Sequence, residues 1–180
     1  MALTLIGPAS GLAKRFLLSL ASAAAVGVLA ACSGGSGGGL QDCPNLPIAN
    51  GVIGQSNFTG NNANAGGAGG ATLNSPASGI ASNGQISYIA DTGNNRVLGY
   101  LGVPAGTAPA ASFELGQGDG TGTHFSDTGN GVGPTSLSAP SKVFVSTDGR
   151  LVVTDTGNNR VLIWNTLPRS NSAPDVVVGQ

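Results

Sequence analysis

Asp91-Thr92-Gly93-Asn94-Asn95-Arg96-Val97-Leu98 recurs without change as Asp155-Thr156-Gly157-Asn158-Asn159-Arg160-Val161-Leu162, 64 residues further along the chain. Other landmarks keep that interval: Leu73 with Leu137, Pro76 with Pro140, and Pro104 with Pro168. An apolar residue followed by Gly-Gln stands at Ile53-Gly54-Gln55, Leu115-Gly116-Gln117 and Val178-Gly179-Gln180, at intervals of 62 and 63. Landmarks that hold one spacing to within two residues mark a duplicated supersecondary unit, so the fold question becomes what one unit builds.

Each unit reads as short strands. Residues 85–90 and 150–154 are rich in β-branched and aromatic side chains. Asn83-Gly84 and Asp148-Gly149, the dipeptides that tight hairpins need for positive φ, stand directly before them. Residues 97–101 and 161–164 are the next strands, ending ahead of Pro104 and Pro168. Residues 77–82 and 141–147 supply the strand before each hairpin, and 113–115 and 176–178 the one before Gly-Gln. Beyond the first 31 residues no segment carries a 3.6-residue apolar period, so the expected class is all-β.

The repeated hexapeptide is expected to form a turn. Asp91 and Asp155 would accept backbone N–H groups two residues on, and Gly93 and Gly157 would take positive φ. Asn94, Asn95, Asn158 and Asn159 tolerate the left-handed region. Arg96 and Arg160 are placed to reach a carboxylate, either their own Asp91 and Asp155 or that of a neighbouring unit. A planar five-donor fork suits that bracing role better than Lys. A third Asp127-Thr128-Gly129-Asn130 lies off register without the Arg, and reads as loop.

Composition removes several function classes. Of 180 residues, 31 are Gly and 8% are charged, about a third of the usual fraction. That argues against a coiled coil or a charge-driven disordered tail. A net charge of −1 offers no basic face for nucleic acid. One His and two Cys cannot build a His/Cys metal site of ordinary ligand count. The Gly residues have no three-residue period, so the chain is not collagen-like.

The first residues read as an address. Lys14 and Arg15 precede an apolar run of 16 residues, Phe16 to Ala31, short of the roughly 20 that cross a bilayer as a helix. A positive start, an apolar stretch of this length and small residues at its end describe a secretory signal over 1–31, with a signal helix. Leu29-Ala30-Ala31-Cys32 resembles the lipobox of bacterial lipoproteins. The resemblance implies that Cys32 is lipidated and becomes the first residue of the mature chain. Ser33 after it implies sorting to the outer membrane where one exists, and lipid anchoring to the cell envelope otherwise. Residues 32–50 then hold the lipidated Cys and a flexible linker, with Ser33-Gly34-Gly35-Ser36-Gly37-Gly38-Gly39 as tether. Cleavage would leave Cys43 as the one unmodified thiol, so no internal disulfide is expected.

Hairpin, strand, Asp-Thr-Gly-Asn-Asn-Arg-Val and strand together resemble the NHL repeat, over residues 52–180. The resemblance implies four-stranded β-propeller blades at about 52–114 and 115–177, with the opening of a third. Apolar-Gly-Gln, a Gly/Asn-rich loop and Asn74-Ser75-Pro76 resemble a bacterial subtype with long blades. Gly79-Ile80-Ala81 departs from the family's usual Gly-Val-Ala-Val, so the first strand of that unit is expected to pair weakly. Propellers close with about 4–8 blades. The region 51–180 therefore reads as an incomplete propeller, completed either by further blades of a longer chain or by another protomer.

Catalytic chemistry is thinly represented. His124, the sole imidazole, has Asp127 three residues on as a conceivable orienting partner, but a loop-surface His is the favoured reading. No Gly-x-Ser-x-Gly elbow appears. Asp91 or Asp155 with Asn carbonyls offers too few oxygens for calcium, which wants six to eight. No catalytic, cofactor or metal residue is assigned. Loops 56–72 and 118–136 repeat at the same place in both units and carry Asn, Thr, Gly and the aromatics Phe58 and Phe125. Long loops on a rigid scaffold are where binding concentrates, and this lining suits a protein or glycan ligand. The leading expectation is a surface-tethered, non-catalytic binding protein or scaffold. The alternative is an exported lyase- or lactonase-type enzyme whose metal site lies partly in other blades.

Overall fold

The computed structural model describes residues 49–77, 79–117 and 122–180. The expected signal helix, Cys32, the tether and Cys43 lie outside them. Strands β1 (Ile80–Ser82), β2 (Ile86–Asp91), β3 (Arg96–Leu101) and β4 (Phe113–Leu115) form one antiparallel sheet in chain order. Strands β5 (Pro140–Val145), β6 (Leu151–Asp155), β7 (Arg160–Trp164) and β8 (Val176–Val178) form a second with the same order. Among the described residues the helical elements are two single 3-10 turns, Thr92–Asn94 and Thr156–Asn158, each inside a repeated corner. The described residues are all-β, as the sequence pattern beyond residue 31 leads one to expect.

Strand limits follow from the corners. β2 and β6 run one residue further than expected because Asp91 pairs with Arg96, and Asp155 with Arg160, as the last rung of each ladder. Gly84 and Gly149 take φ of 86° and 84° at the hairpin tips, where a side chain would be strained. Asn83 Oδ1 closes the first tip by accepting from the N–H groups of Gln85 and Ile86, both at 2.9 Å. β1 has only three residues where β5 has six. Gly79 leaves that stretch without a side chain to pack, and a Cβ there would sit 2.6 Å from that of Ala90. Among the described residues the ladder continues upstream as a 2.7 Å bond from Ala90 N–H to Gly79 O.

Side chains alternate across each sheet, so each strand presents two faces. Ile86, Tyr88, Ala90, Val97, Phe113 and Leu115 on one face of the first sheet meet Val143, Leu151, Val153, Leu162 and Trp164 of the second, with Leu137 between them. Burying a side chain of this size contributes about 1.5–3 kcal/mol, so this inter-sheet core dominates the stability of the pair. Tyr88 and Phe113 stack edge to face, centroids 6.0 Å apart, and Tyr88 Oη donates to Pro168 O at 2.8 Å. Burial raises the Tyr88 pKa above its ordinary value of 10.0. The Phe113 ring lies over Gly99, where an added Cβ would come within 2.2 Å of it.

The outward faces differ. Ile89, Leu98 and Tyr100 of the first sheet are covered by Leu73, Ala111, Ile53 and Phe125. On the second sheet Phe144, Val152, Ile163 and Val176 form one cross-strand row, with Phe144 60% and Val176 42% exposed.

Candidate functional site: two arginine corners and the loops they hold

Each corner is built by one octapeptide. Asp91 ends β2, Thr92–Asn94 make the 3-10 turn, and Asn95 in left-handed backbone (φ 55°, ψ 37°) returns the chain into β3. The second corner repeats this, with Asn159 at φ 54° and ψ 40°. Each guanidinium meets the carboxylate of its own unit. Arg96 Nε donates to Asp91 Oδ2 at 2.8 Å, and Arg160 Nε to Asp155 Oδ2 at 2.7 Å. Asn94 and Asn158 Nδ2 donate to the same oxygens at 2.7 and 2.8 Å.

Two expectations about the turn are corrected. Neither Asp caps its own 3-10 turn. Asp91 Oδ1 instead accepts from Asn74 N–H at 2.6 Å, and Asp155 Oδ1 from Ser138 N–H at 2.7 Å, each 17 residues upstream. Gly93 and Gly157 do not take positive φ. They are small because that same upstream segment presses on them: a Cβ would lie 2.6 Å from Asn74 Cγ and 2.3 Å from Ser138 Oγ.

The rest of each guanidinium holds the preceding long loop by its backbone. Arg96 Nη2 donates to Gly69 O at 2.9 Å and Thr72 O at 3.3 Å. Arg160 Nη2 donates to Gly133 O and Ser136 O, both at 3.0 Å, and its Nη1 to Val132 O at 3.1 Å. Gly69 and Gly133, like Thr72 and Ser136, stand 64 apart, so the interval that revealed the corners also held their loop partners. Sequence reasoning missed them because a carbonyl acceptor leaves no mark in residue type.

The first corner has more around it. Arg96 Nη1 also reaches Glu114 Oε2 at 3.3 Å and the Phe125 carbonyl. Arg96, Asp91 and Glu114 are all fully buried. Glu114 Oε1 and Tyr100 Oη are buried without hydrogen-bond partners. Burial pushes the Glu114 carboxyl above its ordinary value of 4.5, with Arg96 opposing. Burial pushes Tyr100 up to about 12, helped by Asp91 and opposed by Arg96.

The off-register Asp127-Thr128-Gly129-Asn130 is loop, and it braces the first corner. Thr128 O accepts from Asn95 Nδ2 at 2.9 Å, and Gly129 O accepts from Gln117 Nε2. His124 Nδ1 and Asp127 Oδ2 stand 3.5 Å apart, both nearly half exposed. Asn171, unnoticed in the sequence, is buried and ties the sheets: its Oδ1 accepts from Gly116 N–H at 2.8 Å and its Nδ2 donates to Gln117 O.

No curated protein matches the chain. A family model described as the NHL repeat matches residues 137–164, from Leu137 through β5, β6 and the second corner to Trp164. The corner of Asp155 and Arg160, with the strands on either side of it, is therefore an NHL repeat.

Proposed function

We propose that the protein is a non-catalytic recognition module built from NHL-type propeller blades, carried to the cell envelope by lipid on Cys32. The observation that carries this reading is the double use of each arginine. One guanidinium neutralises a buried carboxylate and fixes the backbone of the long loop ahead of it. A loop held by its carbonyls has its side chains free to meet a ligand and loses less conformational entropy on binding. In loop 56–72, Phe58 is 57% exposed beside exposed Asn57, Asn61 and Asn62, an aromatic platform with amide donors and acceptors that suits a glycan or an extended peptide.

Two measurements test the two halves. Isothermal titration against a panel of neutral oligosaccharides and extended peptides should give heat that Phe58→Ala removes while the melting temperature stays unchanged. Binding that survives Phe58→Ala and Asn61→Ala would contradict the loop assignment. Labelled palmitate should enter the wild-type chain and not Cys32→Ala; a Cys32→Ala chain that stays with the membrane would contradict the anchor.

A further inference from the structure

Where the two corners continue from Asp-Thr-Gly-Asn into Asn and Arg, the off-register stretch Asp127-Thr128-Gly129-Asn130 continues into Gly131. Asn130 stands at a joint between two anchorages. Before it, Thr128 O and Gly129 O brace the first corner, accepting from Asn95 Nδ2 at 2.9 Å and from Gln117 Nε2. After it, Gly131 O accepts from Asn158 Nδ2 at 2.6 Å and Val132 O from Arg160 Nη1 at 3.1 Å, both of the second corner. Asn130 itself is exposed. Among the described residues neither its carboxamide nor the Gly131 N–H makes a hydrogen bond.

An asparagine followed by glycine is open to attack by its own chain, because glycine has no Cβ to block the approach of its nitrogen to the carboxamide carbon. The pair occurs three times, at Asn50-Gly51, Asn83-Gly84 and Asn130-Gly131, and the surroundings differ. At Asn83-Gly84 both reactants are held. Gly84 N–H donates to Ser82 Oγ at 3.0 Å, and Asn83 Oδ1 accepts from Gln85 and Ile86 N–H, both at 2.9 Å. Asn50-Gly51 is open in the same way as Asn130-Gly131, but neither corner binds the residues beside it. The carboxamides of Asn94, Asn95 and Asn158 in the corners are bonded, and each is followed by a residue with a side chain.

We propose that Asn130-Gly131 is a self-modifying joint, at which spontaneous deamidation loosens the long loop from the second corner. The backbone nitrogen of Gly131 attacks Asn130 Cγ. The side-chain nitrogen leaves as ammonia, taking up the amide proton, and a cyclic succinimide forms. Water then opens the ring at either carbonyl, giving aspartate or isoaspartate. The balance is the exchange of NH for O, and water is the one co-reactant. Either product adds a negative charge. Isoaspartate also routes the main chain through Cγ, one carbon longer than before. Anchored on both sides, the loop cannot take up that carbon without moving the Gly131 and Val132 carbonyls away from Asn158 and Arg160. The inference is independent of the lipid anchor and of any ligand.

Peptide mapping by mass spectrometry, on the full chain aged at mildly alkaline pH, tests the first step. Asn130 and Asn50 should both exchange NH for O. Asn83 should convert at least about tenfold more slowly, since its hydrogen bonds must break first. Asn130 unconverted, or Asn83 converting as fast, would overturn the proposal. Thermal melts test the second step. Aged wild type should melt below fresh wild type and below freshly prepared Asn130→Asp, which carries the charge without the added carbon. Aged Asn130→Gln, which would need a larger ring to cyclise, should keep its melting temperature even though Asn50 converts. A converted wild type that melts like the fresh chain or like Asn130→Asp, or an aged Asn130→Gln that loses as much as wild type, would overturn the joint.

Discussion

The two corners have the same eight residues and nearly the same backbone, yet they sit in different surroundings. Arg96 is fully buried, faces two carboxylates and holds carbonyls from loops on both sides of it in sequence. Arg160 is 8% exposed, faces one carboxylate and holds one loop. The strands beyond them diverge in the same way: β4 is buried along its length and β8 is exposed along its length. Local sequence therefore fixes the corner, and the neighbouring element fixes what the corner is worth.

The largest consequence concerns the arginines. Removing one partner of a buried pair strands the other charge, at a cost of about 3–5 kcal/mol. Arg96→Ala should reach that range in chemical denaturation, and Arg160→Ala should cost less. Equal losses would mean that the surroundings of the corner contribute nothing.

Next comes the position where the sheets differ most in size. Gly99→Ala drives a Cβ into the Phe113 ring and should cost about 1–3 kcal/mol. Ile163→Ala, at the equivalent site on the half-exposed face, should cost about 1 kcal/mol, because water already reaches that side chain. Thermal melts of the two variants compare them directly, and the opposite ranking would contradict the inter-sheet packing.

A smaller effect concerns Glu114, whose counterpart in β8 is Val177. Its folded pKa is raised above 4.5, so the folded state holds the proton that the unfolded state releases. Its contribution to stability is therefore fullest below that value and is lost as pH rises through the folded pKa. The melting temperature of wild type minus that of Glu114→Gln should fall as pH rises across this window. A difference that rises would show that Arg96 outweighs the burial, and one that is flat that the two cancel; either would contradict the raised pKa. Val177→Ser should be nearly silent, within about 0.5 kcal/mol, since that side chain is 44% exposed.

Much of the architecture was legible because duplication repeats the same chemistry at a fixed interval. Two identical octapeptides, two hairpin dipeptides and three Gly-Gln landmarks gave strand order, and β4 and β8 lie where the residues placed them. The corner's own chemistry was read only in part. Which atom Asp91 would accept from depends on Asn74 arriving from 17 residues upstream, and the narrow Gly93 answers that approach rather than a backbone angle. Glu114 and Asn171 carried no repeat signal, because each belongs to one unit only. The loop carbonyls that the arginines bind are invisible to residue type.

The central claim is that each corner closes on itself within its own sheet. Double-mutant cycles measure it most directly. Asp91 with Arg96, and Asp155 with Arg160, should each show coupling above about 1 kcal/mol. The crossed pairs, Asp91 with Arg160 and Asp155 with Arg96, should add within about 0.5 kcal/mol. Coupling in the crossed pairs, or its absence from the matched ones, would contradict the account.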